Sequence, residues 1–383
     1  MKKTLTIVSY ILVAVLASAI TFGIVAVEDM LNKPKLERLE ALIEDKFIGE
    51  PDKTAMEDAA ATAMVAAMGD RWSYYIPASE EEAYQEQMKN AYVGIGVTIQ
   101  EMEDGSGLLI IKLDKNGPAE EAGVRIGDVI VAVDGERIAG KASSETREYI
   151  RGEEGTEVVL TVLRNGKEQD ISVERRRVEV AVATGQMLTD SIGLVSIVNF
   201  NTRCASETIA IIEDLLDQGA ESLIFDVRFN PGGYADELVK LLDYLLPEGE
   251  LFRTVNYSGR EKVDTSDAKY LDVPMAVLVN GDSYSAAEFF AAALREYDAA
   301  IVVGEQTVGK GYFQTTFSLG DGSLVGLSIG KYYTPKGVSL EGVGITPDVV
   351  VEVDQETAIK IYTGTIDPLE DPQIQAAMDA LSK

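Results

Sequence analysis

The stretch Met275-Ala276-Val277-Leu278-Val279-Asn280-Gly281-Asp282-Ser283-Tyr284-Ser285-Ala286-Ala287-Glu288 decides how the chain is read. Its apolar first part reads as a strand, 280–284 as a turn, and 287–297 as a helix. A serine at such a turn is exposed. The helix that follows presents unpaired N–H groups and positive potential, so the Ala286 N–H is a candidate donor to an oxyanion formed where Ser285 Oγ attacks. The plainer reading of Ser285-x-x-Glu288 is a capping box that only starts the helix.

Working outward, strands and helices alternate. Segments 192–198, 223–227 and 300–303 read as strands. Segments 205–217, with Ile209, Ile212 and Leu216 on one face, and 234–246 read as helices. A hairpin over 313–333 turns at Asp321-Gly322, and a last helix covers 371–381. This order predicts a layered α/β core. Two more turns in it hold chemistry. Asp226-Val227-Arg228-Phe229-Asn230-Pro231-Gly232-Gly233 ends a strand, and its Pro-Gly-Gly exposes consecutive N–H groups suited to an anion. Asp226 and Arg228 read as structural ion partners. The loop Gly304-Glu305-Gln306-Thr307-Val308-Gly309-Lys310-Gly311 sets a lysine between glycines. It is no phosphate-binding P-loop, because Gly311 stands where that motif needs Ser or Thr.

Composition narrows the options. Asp and Glu total 64 against 34 Lys and Arg, a net charge of −30, which argues against nucleic acid as a partner. The chain has no histidine, so His-based triads, His-ligated zinc and His proton shuttles are excluded. Its single cysteine, Cys204, rules out an intrachain disulfide and Cys-rich metal sites and reads as structural. No metal or cofactor is expected.

Lys2 and Lys3 precede a run, 4–27, that is uncharged and mostly apolar. About 20 such residues span a bilayer, and the leading positive charge keeps the N-terminus inside. The expectation is an uncleaved anchor over 1–27 with everything after it extracytoplasmic. The alternative is a signal peptide cleaved near Ala19, which would release the protein. Residues 28–90 read as helical, with a stripe of Leu36, Leu39, Ile43 and Phe47, a helix at 56–68, and an acidic helix from Ser79 capped through Glu82.

From Tyr92 the pattern changes to short strands punctuated by glycines, with a last strand at 158–163 and helices at 118–122 and 145–151. Gly94-Ile95-Gly96-Val97, then Gly117-Pro118-Ala119-Glu120-Glu121-Ala122-Gly123-Val124-Arg125-Ile126-Gly127-Asp128, then Val133-Asp134-Gly135, resembles a PDZ domain over 91–178. A glycine-rich turn offers N–H groups to a carboxylate, and a strand edge beside it accepts a peptide as an added strand.

Taken together, the Ser285 turn, the Gly-Lys-Gly loop and the Asn-Pro-Gly-Gly turn resemble the carboxyl-terminal processing peptidases, PDZ-containing serine proteases. The resemblance extends over nearly the whole chain after residue 70, including 70–75 and the closing Gly342-Val343-Gly344-Ile345-Thr346-Pro347-Asp348. It implies Ser285 as nucleophile, Lys310 as general base, Gln314 as the residue orienting the lysine, and Gly232 and Gly233 as oxyanion donors beside Ala286. It implies that Gly94, Ile95, Gly96 and Val97 take a substrate C-terminus, and it marks Arg151 as a gating position. It is compatible with a homodimer. Tyr284 and Ala287 depart from the family pattern. The resulting expectation is an α/β multi-domain protein: a helical region at 28–90, an inserted PDZ domain at 91–178, a protease core at 179–362 and a helical tail at 363–383. Its partners would be proteins or peptides with accessible C-termini, and it would hydrolyse them through an acyl-enzyme. The alternatives are a catalytically silent PDZ scaffold and a lipid- or retinoid-binding protein.

The missing imidazole agrees with a lysine base. A free lysine has a pKa of about 10.4, and lowering it to near 7–8 requires about 4 kcal/mol against the charged form. Val308 and Phe313 are the expected apolar neighbours, and the neutral Gln314 would hold the amine without restoring its charge.

Overall fold

The computed structural model describes residues 33–102, 104–141 and 143–382. The apolar run at 4–27, with its anchor and cleavage readings, lies outside them. No helix among the described residues is long and apolar enough to cross a membrane.

Two compact units divide at Arg71/Trp72. The first holds helices Lys35–Lys46 and Lys53–Ala66. Pro34 precedes the first, and Asp52 caps the second by accepting the Ala55 N–H at 3.0 Å. Leu36, Leu39 and Ile43 face Met56, Ala60 and Met64 across a shared apolar cleft. Phe47 leaves the predicted stripe, because it is the extended residue that ends the first helix.

In the second unit, the core sheet runs Ala183–Met187, Ile192–Ile197, Ser222–Asp226, Met275–Val279, Ala300–Gly304, Val349–Val350. All neighbours are parallel except the first pair. Alternation along each strand feeds two layers. Leu223, Phe225, Val277 and Val279 pack with helices Cys204–Asp217, Ala235–Leu245 and Ala286–Glu296. Ile224, Ala276 and Leu278 pack on the other face against Ile374 and Ala377 of the Pro372–Leu381 helix. Arg228 fastens that last helix. It is buried, forks onto Asp226 at 2.8 and 2.5 Å, and reaches Asp371 Oδ2 at 2.8 Å and Gln373 Oε1 at 2.9 Å. Cys204 is buried beside Thr208, and burial pushes its thiol up to about 12, so it is inert at neutral pH.

A second sheet pairs Tyr74–Ile76, Leu324–Tyr333, Gly249–Asn256 and Glu261–Ser266, with Tyr312–Ser318 also on Leu324–Tyr333. Here the sequence reading needs correction. Residues 74–76 form a strand within the stretch read as helical. The capping box at Ser79 is absent, since Ser79 lies in a 3-10 turn and the following helix, Glu81–Lys89, has no side-chain cap.

The PDZ-type unit is an insertion with a zipped stem. Ala91–Gly94 enters and Arg176–Glu179 leaves, and the two pair antiparallel, Tyr92 opposite Val178. Between them the sheet runs Val97–Glu101, Leu108–Leu113, Val129–Val133, Glu157–Arg164, Lys167–Glu174. The strand Lys167–Glu174 extends the unit past the expected last strand. Only Ile171 and Val173 of this strand pack on the core, so its sequence shows little apolar signal. Asp128 is buried, and Arg164 binds it through Nε at 2.7 Å and Nη2 at 2.6 Å. Burial works to raise the Asp128 carboxyl, but Arg164 and the Arg125 N–H outweigh it and hold it below the usual range.

Two stability effects follow. Asp371→Ala leaves Arg228 short of a buried partner and is expected to cost about 3 kcal/mol in urea unfolding. Because the folded Asp128 carboxyl sits below its unfolded value of about 3.9, its contribution is complete above that pH. It fades as pH falls through the lower folded value, and Asp128→Asn should remove that acid-limb loss from the unfolding midpoint.

Candidate active site

Ser285 sits where the fully buried strand Met275–Val279 turns into the Ala286–Glu296 helix, and it is buried rather than exposed as the sequence predicts, because the neighbouring turns pack over it. Its backbone is forced to φ 60°, ψ −125°, a region that costs a non-glycine residue about 1–3 kcal/mol. Neighbouring turns hold it there. Asn280 Oδ1 accepts the Phe229 N–H at 2.9 Å, Ser283 Oγ donates to the Val227 carbonyl at 2.8 Å, and the Tyr284 N–H donates to the Asn230 carbonyl at 3.1 Å. The 280–284 turn is thereby stitched to the Asn-Pro-Gly-Gly turn. Gly232 lies against the serine so closely that a Cβ there would stand 2.7 Å from Ser285 Cβ.

Glu288 ties the site together. Its carboxylate is completely buried and accepts four donors. Oε2 takes the Ser285 N–H at 3.0 Å and the Lys310 N–H at 2.8 Å, while Oε1 takes the Gly309 N–H at 2.7 Å and the Thr307 hydroxyl at 2.5 Å. Since one oxygen serves both, the backbone nitrogens of Ser285 and Lys310 lie closer together than the sum of those two bonds. Burial lifts the Glu288 carboxyl above the usual carboxylate range, and the four donors pull against it. The sequence showed Glu288 only as half of a cap. Its reach to the lysine loop could not be seen there, because that loop lies a helix and a strand further on. A second carboxylate completes the loop's support: Glu341 Oε2 accepts the Gly311 N–H at 2.7 Å, and its Oε1 accepts the Trp72 indole N–H at 3.2 Å. Gly309 is at φ +81°, and a Cβ on it would meet the Gly344 and Val343 nitrogens at 2.8 Å, which explains the glycine and the packing of the closing 342–348 segment.

The Lys310 amine lies 5.0 Å from the Trp72 ring centroid and 5.8 Å from that of Tyr284, and these two rings stack at 6.1 Å. Aromatic faces favour the charged amine. Of the two apolar neighbours expected from sequence, Phe313 stacks on Tyr332 at 5.0 Å. Gln314 Nε2 donates to Ser328 Oγ at 2.9 Å and to the Tyr312 carbonyl at 3.2 Å. Two of the three expected oxyanion donors are open: the Gly233 and Ala286 N–H groups have no acceptor among the described residues. The Gly232 N–H is not open, because Asn230 Oδ1 takes it at 2.8 Å. Gly232 therefore serves by its lack of a side chain.

In the PDZ-type unit, Gly94, Ile95, Gly96 and Val97 line a cleft of about 230 Å³ between the edge strand Val97–Glu101 and the Ser143–Ile150 helix. Arg151 stands at one end, 5.7 Å from the Tyr92 ring centroid and 3.4 Å from Glu86 Oε2. Glu86 Oε1 in turn accepts the Val93 N–H at 2.9 Å, so Arg151 contacts the stem of the insertion.

Glu288→Gln would aim amide hydrogens at N–H donors. It should lower stability by about 2 kcal/mol in urea unfolding. By loosening both loops it should also slow acylation of Ser285 by an activated ester about a hundredfold. Full stability and reactivity in this variant would contradict the clamp.

Comparison with known proteins agrees with this architecture. The family model "Peptidase family S41" matches residues 191–351, and "PDZ domain" matches 93–174. A probable CtpA-like serine protease of Staphylococcus aureus (strain N315) is 32% identical over 343 residues, covering 88% of this chain and 68% of that protein. One from Staphylococcus saprophyticus is 32% identical over 358 residues, covering 90% and 72%. Among solved structures, a photosystem II D1 C-terminal processing protease is 27% identical with a TM-score of 0.48, covering 82% of this chain and 86% of that one. Relatives of that identity and coverage, together with the two matched models, establish that the chain belongs to peptidase family S41, as a serine peptidase that carries a PDZ domain.

Proposed function

We propose that this peptidase is an endopeptidase that takes protein substrates near their C-terminus through the PDZ cleft, with Ser285 as nucleophile and Lys310 as general base. The observation that carries this reading is the Glu288 carboxylate shared by the Ser285 and Lys310 backbones. In the neutral form, the Lys310 amine takes the Ser285 Oγ proton as the oxygen attacks the scissile carbonyl carbon. The developing oxyanion is met by the Gly233 and Ala286 N–H groups. The lysine then returns its proton to the departing amine, leaving the acyl group on Ser285, and water hydrolyses that ester by the same route in reverse.

For this the amine must swing from the faces of Trp72 and Tyr284 toward Ser285 Oγ, and Gln314 Oε1, which has no donor among the described residues, is the acceptor that would steady it there. The aromatic seat is thus a resting position in this reading. It is also what a catalytically silent PDZ scaffold would display, so activity decides between the two. The place of action proposed is outside the cytoplasm, on a membrane anchor formed by the apolar run at 4–27 behind Lys2 and Lys3.

Purified enzyme should cleave an unfolded protein such as casein. Ser285→Ala and Lys310→Ala should each abolish cleavage with unfolding midpoints unchanged. Lys310→Arg should be equally inactive, since a guanidinium stays protonated. Turnover retained in either alanine variant would refute the dyad, and an inactive wild type with intact peptide binding would favour the scaffold.

A further inference from the structure

The PDZ cleft is lined by Ile95 and Val97 at the strand edge and, on and just after the facing helix, by Ile150 and two guanidinium-bearing residues, Arg147 and Arg151. Their commitments differ. Arg151 lies against Tyr92 and Glu86. Arg147 is exposed and forms no ion pair with any described residue, although acidic residues outnumber basic ones almost two to one. The two arginines stand one helical turn apart, since the Arg151 N–H closes onto the Arg147 carbonyl at 2.8 Å.

Geometry relates this spacing to a bound peptide. A peptide added antiparallel to Val97–Glu101 brings its free carboxylate to the Gly94–Val97 turn, near Tyr92 and Arg151. Every second side chain then faces the helix, at a repeat of about 6.6–6.8 Å. One helical turn rises about 5.4 Å. Arg147, one turn further from the carboxylate end, therefore stands opposite the residue two before the last. We infer that Arg147 selects substrates with Asp or Glu at that position. This inference rests on the cleft being the receptor for substrate C-termini.

The test uses the full chain with Ser285→Ala and fluorescence anisotropy of labelled short peptides ending in valine. The peptides are identical save for Glu, Gln or Lys two residues before the end. A single partly exposed ion pair is worth up to about 1 kcal/mol, so Glu should bind about fivefold tighter than Gln and Lys more weakly than both. Arg147→Glu, an exposed change that spares the core, should reverse that order, and added salt should flatten it. Equal affinities in the wild-type cleft, or an order unchanged by Arg147→Glu, would overturn the inference. C-terminally amidated peptides separate it from the reading beneath it. If amidation weakens binding while the three peptides rank equally, only the Arg147 assignment fails. If amidated and free peptides bind alike, or none binds, the receptor reading fails too.

Discussion

One buried carboxylate sets the geometry of the active site. Glu288 accepts N–H groups from the Ser285 turn and from the lysine loop, which are separated in sequence by a helix and a strand. A buried carboxylate is tolerable only when its oxygens are fully bonded, and four donors meet that demand. In satisfying its own lone pairs, Glu288 reinforces a join that the Val308 N–H also makes by donating to the Ser283 carbonyl at 3.3 Å. The strained φ of Ser285 is sustained by the same arrangement, with Asn230 and Asn280 bracing the turn from the opposite side.

Around this clamp the chain uses paired groups to fix each working part. Glu341 spans Gly311 and Trp72, so the loop carrying the lysine and the ring beneath its amine share one support. Arg228 joins the end of a core strand to the last helix. The PDZ unit is joined through the antiparallel stem 91–94 and 176–179, and Arg151 both contacts Tyr92 of that stem and lines the cleft. Arg151 thereby links the cleft lining to Glu86 of the Glu81–Lys89 helix. The Trp72–Tyr284 stack gives the amine a seat that favours its charge, the opposite of what a base requires, and Tyr284 is one of the two places where the sequence departs from the pattern of the family it resembles.

Much of the core was legible because its strands are buried on both faces. Runs such as Met275–Val279 stand out as apolar blocks, and the helices between them carry apolar residues at helical spacing. Strands with one wet face were harder to see. Lys167–Glu174 and Glu261–Ser266 are mostly polar, Gly249–Asn256 is half polar with no clean alternation, and the sequence reading misses all three, as it does the helix Gln355–Tyr362, none of whose residues is buried. Candidate residues were legible where a local motif carried them, as with Ser285, Lys310 and the Gly232-Gly233 pair. Their environment was not. The capture of the Gly232 N–H by Asn230, the aromatic seat of Lys310 and the double duty of Glu288 all depend on tertiary placement, which spacing along the chain does not encode.

The central claim is that Ser285 is activated by the Lys310 amine in a protein without histidine. Peptide mapping by mass spectrometry after treatment with a fluorophosphonate tests it most directly. The account predicts one phosphonyl adduct, on Ser285, formed by the wild type and not by Lys310→Ala at the same pH. An adduct on another residue, or equal labelling of Ser285 without the lysine, would contradict it.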